Sequence, residues 1–566
     1  MQSVASAPRF TRPRARRRWL GAGLTVLGCA ALTGCGSSSH TGGTTADPAG
    51  AAPAGAAIYL GATVRPSGTE ASAALAAGSE LAHQPDPFLR LVGVLRTPGS
   101  PALDYKTEVA PWLGPHAGIF MSSLGGAGAM LALAEAALTG GSSSGTISFG
   151  AGHADGAIVM DTSDASAARS FLAKQAKRAG ARPSGYRGVP YEATTGGLAF
   201  GLVGRFAVIG SEAGLRAVID TTKGAGALAS SAGYGKLATS APGGAIAHLY
   251  VDPAGTAGSH PVSGLLGAVT GGRQAYVSLL ASPTALTLDA DTLAGQGTGG
   301  GLLAPDPEAA QALAALPGDS WLALGLGHLA TGLQPDVAAL KAVASLLGNR
   351  ASSLGTLLEG LLAPVEALGA NTAQAHRDFG GWPRSAGIFA SGAGLLELKG
   401  AIVITSGDQT RSRAAVAKLG ALLAGRGDAI SNASIPGTEA ALSARLRGFP
   451  LALDIAAGHG SDGTAKFVLG LGEASVREAL APSGALANSA TRAAATSALS
   501  GGLPSVILQF PPLIGLLEGI GLTESPPLSG YLPYLRSVTT LSGGGLQLGG
   551  GIERFRLVLG LTQTGG

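Results

Sequence analysis

A chain of 566 residues, 46% of them hydrophobic, is long enough for more than one core and apolar enough to fill them. Charged residues make up only 13% and aromatics 5%, scattered singly. That excludes a clustered basic face or a stacking platform, and with them nucleic acid as a partner. Six of the positive charges precede Cys35 while the net charge of the whole is +4, so the remainder carries −2.

Those six, Arg9, Arg12, Arg14, Arg16, Arg17 and Arg18, form a basic start without an acid. Trp19 to Ala31 follows as an apolar run too short to span a bilayer. Leu32-Thr33-Gly34-Cys35 then resembles the bacterial lipobox, with small residues before a thiol that carries a diacylglyceryl group. Residues 1–35 are therefore expected to be a lipoprotein signal peptide and Cys35 the lipidation site, with the rest extracytoplasmic and anchored to the cell membrane. Cys29 leaves with the signal peptide, so the exported chain must hold together by packing without disulfides. Residues 36–52, rich in Ser, Thr, Gly, Ala and Pro, are expected to form a flexible tether.

Beyond the tether, segments recur in order. Pro53 to Gly61 pairs with Pro317 to Gly325, each a turn followed by a buried strand. Ala117 to Phe120 recurs as Ala386 to Phe389, each shortly after a tryptophan, Trp112 or Trp382. Gly156 to Met160 recurs as Gly400 to Ile404, with a cap and an Ala-rich helix after both. Phe206 to Arg216 pairs with Phe467 to Arg477 as strand, cap and helix; Ser211 is suited to cap, and Leu215, Val218 and Ile219 share a helix face. Gly204-Arg205 reads as a tight hairpin turn. Leu249 to Pro253 matches Leu508 to Pro512, and each copy closes with extended segments near Tyr276 to Asp291 and Ser537 to Leu561. Asp306-Pro307-Glu308 reads as a helix start after the glycine-rich Gly295 to Gly301.

The expected fold class is α+β: two tandem similar domains, each a mainly antiparallel sheet with helices packed on one face. The boundaries are 53–294 for the first domain, 295–306 for a linker and 307–566 for the second. Spacing between the copies changes between Phe120 and Gly156, which places an insertion there with Met130, Leu131, Leu133 and Leu138 between glycine hinges. This is a candidate lid or ligand-contact segment, or one extra core helix.

The lipobox, Pro53 with Ala57 to Leu60, Pro111 to Gly114, Phe206 to Arg216 and Tyr250 to Pro253 together resemble the bacterial domain-of-unknown-function family 3352. The resemblance implies an exported or membrane-attached protein of high-GC bacteria with no assigned activity, and it carries no site residue over.

Chemistry is sparse. Gly141-Ser142-Ser143-Ser144-Gly145 fits the pattern of a nucleophile elbow but runs into a strand where an elbow needs a helix. Gly150 to Gly156 similarly precedes a strand, so no helix N-terminus faces an anion there. His153 with Asp155 lacks the third and fourth ligands a metal needs. Asp289 and Asp291 share one strand face, read as solvated, and His248 and His459 have no partner in sequence. Glu212 with Arg216, and Glu473 with Arg477, have the spacing of a helix-surface ion pair. No catalytic, metal or cofactor site is expected. The expected function is a non-catalytic binding or scaffolding role in the cell envelope, toward an unknown envelope protein or apolar ligand, with a cleft between the copies as the natural seat. The alternatives are a carrier or chaperone for lipid or another apolar molecule and, more weakly, an envelope hydrolase using Ser143 or an acid pair.

Overall fold

The computed structural model describes residues 47–66, 103–123, 155–253, 273–293, 306–329, 373–446, 451–524 and 528–562, apart from position 395, and the isolated positions 68, 72, 73 and 149. Among these described residues, 20 strands form one antiparallel sheet. The first ten are β1 (Ile58–Thr63), β2 (Leu113–Met121), β3 (Gly156–Thr162), β4 (Arg182–Tyr186), β5 (Val189–Ala193), β6 (Leu198–Val203), β7 (Phe206–Ser211), β8 (Ala247–Val251), β9 (Ala275–Ser282) and β10 (Ala285–Leu293). The last ten are β11 (Leu322–Leu326), β12 (Pro383–Ser391), β13 (Lys399–Ser406), β14 (Ala429–Asn432), β15 (Thr438–Arg445), β16 (Ala452–His459), β17 (Ala465–Leu471), β18 (Leu503–Gln509), β19 (Val538–Gly549) and β20 (Ile552–Leu561).

Neighbouring strands run β4, β5, β6, β7, β3, β2, β1, β8, β9, β10 in the first half. The second half runs β14, β15, β16, β17, β13, β12, β11, β18, β19, β20, the same succession. The halves meet where β10 pairs with β20. Among the described strands the edges are β4, which carries an exposed arginine and Pro183, and β14, only four residues long; both features discourage a further strand from adding.

Helices cover both faces of the sheet, not one as the sequence suggested. The reason is visible in β3, where Ile158 and Met160 enter a core with Trp112 and Phe171 while Ala157 and Val159 enter another with Leu215 and Val218. A strand buried on both sides needs a cover on both. On the tryptophan face lies the helix Ala165–Arg178, capped by Asp164, whose carboxylate accepts from Ser166 N (2.8 Å) and Ala167 N (3.0 Å). Its Phe171 packs on Trp112 with ring centroids 4.9 Å apart, a burial worth about 1.5–3 kcal/mol. The helix Gln409–Gly425 does the same beneath Trp382. Each tryptophan donates its indole N–H four residues back, to Glu108 O or Asp378 O, and those acids pair with Lys174 and Lys418 of the covering helices.

The folded part starts earlier than expected. Asp47 caps a turn at Pro48–Gly50, and Ala49, Ala51 and Ala52 are fully buried, so the last six residues of the expected tether 36–52 belong to the folded part. The second half opens likewise: Asp306 caps the helix Pro307–Ala314 through Glu308 N (2.8 Å) and Ala309 N (3.2 Å). Pro53 bridges Ala227 just as Pro317 bridges Ala485.

Two sequence matches need a new register. Phe467 lies opposite Ile404, but in the first half the residue opposite Met160 is Ala207, not Phe206. Phe206 therefore joins the core with Leu215, while Phe467 points through the other face, its ring 5.3 Å from Trp382. A slip of one residue inverts a strand. Gly472, at φ +76°, is the extra residue that restores the register of the following helix, so Val476, Ala479 and Leu480 still match Leu215, Val218 and Ile219. At β8 the match slides by two residues: Asp252 N donates to Ala57 O as Gln509 N donates to Trp321 O. The hairpin turn at Gly204 and the Ser211 cap, which accepts from Gly214 N at 2.9 Å, are as expected.

Candidate functional site

On the face opposite Trp112, in the first half, a row of polar and aromatic side chains runs from β1 to the seam. Tyr59 projects from β1, His248 and Tyr250 from β8 and Tyr276 from β9, and Tyr234 reaches down from the helix Ala232–Ser240. The His248 ring stacks on Tyr276 (5.1 Å, 11°), and its Nε2 lies 3.2 Å from Tyr234 Oη. Tyr234 meets the rings of Tyr59, Tyr250 and Tyr276 edge-on. Tyr59 Oη donates to Asp47 Oδ1 at 3.5 Å, which ties the N-terminal turn to this nest.

Burial sets the protonation states. Desolvation pushes Tyr59, Tyr234, Tyr250 and Tyr276 above the ordinary phenol range, with Asp47 adding to the effect at Tyr59. Desolvation lowers His248 to about 4, and the neighbouring His116 acts in the same direction, so the imidazole is neutral at pH 7.

Two glycines make the room. A Cβ at Gly61 would lie 2.5 Å from the His248 ring, and one at Gly118, opposite Gly61, would lie 2.6 Å from Tyr59 Oη. In the second half the matching pair, Gly325 and Gly387, is covered by the helix Pro307–Ala314 and Leu316. The first half has a single turn in place of that helix, and His248 and Tyr59 fill the space. Gly61→Ala is expected to cost about 1–3 kcal/mol through overpacking, measured by urea denaturation, because a stacked ring has nowhere to retreat.

The row ends in charge. Ser278 sits opposite His248 on one side and Asp289 on the other. Asp289 and Asp291, expected on a solvated face, are fully buried: their carboxylates face Arg556 and Arg554 of β20. Arg554 donates to Asp291 through Nε (2.6 Å) and Nη2 (2.8 Å), and Arg556 to Asp289 through Nε and Nη2 (2.7 Å each). Asp289–Arg556 is the middle of the nine pairs that join β10 to β20. The end of the helix Ala232–Ser240 and the turn at Ser500 close the ladder, since Arg554 Nη2 donates to Ser240 O (2.7 Å) and Arg556 Nη1 to Ser500 Oγ (2.8 Å). Arg273 adds a pair to Glu553 at 2.7 Å. The strands pair edge to edge along this junction, so the two halves are not parted there.

This arrangement joins; it does not activate. Ser278 lies between His248 and Asp289, whereas a nucleophilic triad needs the histidine in the middle, and the Asp289 carboxylate is engaged by arginine. Lys466, lowered by burial, donates to Ala479 O at the end of the helix Gly472–Leu480, a capping role. Among the described residues no group of three or more His, Cys, Asp or Glu is placed to hold a metal, and no helix is long and apolar enough to cross a membrane.

Of the residues singled out in the sequence, Cys35, Met130, Leu131, Leu133, Leu138, Ser143 with its loop, and His153 lie outside the described residues. Asp155 is exposed at the start of β3. Glu212–Arg216 forms at 2.7 Å, and Tyr191 Oη donates to the same Glu212 oxygen at 2.6 Å. His459 pairs with Glu439 at 3.2 Å on the surface. Sequence reasoning missed Arg554 and Arg556. The signal was present: acids two apart at the end of one copy and arginines two apart at the end of the other, each pair on one face of a strand.

The profile of a family described as "Protein of unknown function (DUF3352)" matches residues 99–502, and the chain belongs to that family. No curated protein matches the chain. Among solved structures it is similar to one titled "Structure of crystal form I of TP0453", at 11% identity and a TM-score of 0.26, over 45% of this chain and 81% of that one.

Proposed function

We propose that this protein is an extracytoplasmic lipoprotein, held at the cell membrane by an acylated Cys35, whose body is two tandem similar α+β domains acting without catalysis as a binding or scaffolding element of the envelope. The observation that carries the reading is the seam. Asp289, Asp291, Arg554 and Arg556 are committed to fusing two similarly paired halves into one sheet, and a continuous sheet is a stiff body suited to presenting surfaces. The tandem reading is supported by the recurrent strand succession, the Asp-Pro caps at Asp47 and Asp306, and the paired bridges at Pro53 and Pro317.

Cell fractionation of wild type and Cys35→Ser tests the anchor. Wild type should sediment with membranes and the variant should not; identical partition contradicts the reading. Native mass spectrometry of the purified protein separates scaffold from carrier. A mass equal to the acylated chain alone fits the scaffold, and additional bound lipid fits the carrier.

A further inference from the structure

The pairing register places the N-terminal turn and one apolar tip at the same end of the sheet. Ile58, where β1 starts, is opposite Val251; Val251 is opposite Ala275, Ala275 opposite Thr292 and Thr292 opposite Glu553. Beyond Glu553 the β19–β20 hairpin turns through Gly549, Gly550 and Gly551, all at positive φ. Leu548 in this tip is 41% exposed, and Leu503, at the adjoining start of β18, is 48% exposed. They are two of the four large apolar side chains that stand out from the described surface. Lys236 Nζ would lie 3.7 Å from a Cβ at Gly551, so a cation borders the tip. Leu396, the most exposed of the four, lies between β12 and β13, at the opposite end of the sheet.

Residues 36–46 separate Cys35 from the folded turn at Asp47. Fully extended they span about 36–40 Å. From β1 to β19 is five strand spacings, about 24 Å. A body tied by Cys35 thus has its tip within reach of the same bilayer.

We propose that the β19–β20 tip, with Leu503, Leu548 and Lys236, is a membrane-contact surface that seats on the bilayer holding the acyl chain. This rests on the anchored reading above. Two leucines flanked by a lysine suit the boundary between acyl chains and anionic headgroups, and such contact is too weak to hold the protein without a second anchor. The tether supplies proximity, and the tip sets orientation.

The test uses the full lipidated chain in vesicles of phosphatidylcholine and phosphatidylglycerol, with Leu548→Cys or Leu396→Cys labelled by an environment-sensitive fluorophore. Acylation of Cys35 leaves the introduced cysteine as the only reactive thiol. The expected result is a blue-shifted emission at position 548 that is absent at 396 and is reduced by Lys236→Glu. Equal emission at both positions, or a shift at 396 alone, overturns the proposal. The mass of the N-terminal peptide separates the two failures. An acylated chain with an unshifted probe at 548 sinks the contact alone, and an unmodified thiol sinks the anchor and the contact with it.

Discussion

Replacing Arg554 by alanine is expected to cost about 3–5 kcal/mol of folding stability, the largest loss from any single side chain of the seam. The guanidinium is buried, makes two hydrogen bonds to Asp291 and one to the Ser240 carbonyl, and lies 3.5 Å from Asp289. Removing it leaves the Asp291 carboxylate buried, with Ser240 Oγ as its remaining side-chain donor among the described residues at 2.9 Å. An uncompensated buried charge, not a lost attraction, is the main cost. The double variant Asp291→Leu with Arg554→Leu should therefore be more stable than Arg554→Ala alone, since a buried pair exchanged for apolar groups loses little. Urea denaturation of the three proteins measures both effects. If the double variant is no more stable than Arg554→Ala, the desolvation argument fails.

Acidification should destabilise the first half through His248. Its folded-state pKa is about 4, against about 6.5 for an exposed histidine. Between those values the unfolded chain binds a proton that the folded chain refuses. The stabilisation is complete above about pH 6.5 and is lost as the pH falls toward 4, by up to about 3 kcal/mol. Tyr234, Tyr276 and Tyr59 pack against the ring, His116 opposes its protonation, and Asp47 favours it too weakly to reverse the desolvation. His248→Phe keeps an aromatic over Gly61 and removes the titration. Urea midpoints at pH 7 and 4.5 should converge for that variant relative to wild type, and carboxylates titrating in the same window cancel in the comparison. An unchanged pH slope in His248→Phe would contradict this origin.

Much of the architecture was legible because it is local. The turn and buried strand at Pro53 to Leu60, the cap at Asp306-Pro307, the turn at Gly204 and the helix face of Leu215, Val218 and Ile219 each depend on residues within a few positions. Recurrence of such segments exposed the repeated order of elements. Register was harder. Matching phenylalanines and a matching Glu-Ala pair drew Phe206 onto Phe467, while one glycine, Gly472, had shifted the strand beneath them. Sequence similarity follows side-chain type, and strand register follows which face is buried.

The candidate site was least legible. Asp289 finds Arg556 across 267 positions of chain, and neither residue alone distinguishes a solvated strand face from a seam. The tyrosine nest has no counterpart among the described residues of the second half, where Ala323 and Ile507 occupy the strand positions of Tyr59 and Tyr250. Comparison of the two halves therefore could not point to it. The short first cap explains its presence: where Pro307–Ala314 covers one glycine pair, aromatic rings cover the other.

The most direct measurement of the whole account is the mass of the N-terminal peptide of the protein recovered from membranes. A peptide that starts at Cys35 and carries a diacylglyceryl group is the predicted result. A peptide with a free Cys35 thiol, or one that retains Arg16 to Leu20, would contradict it.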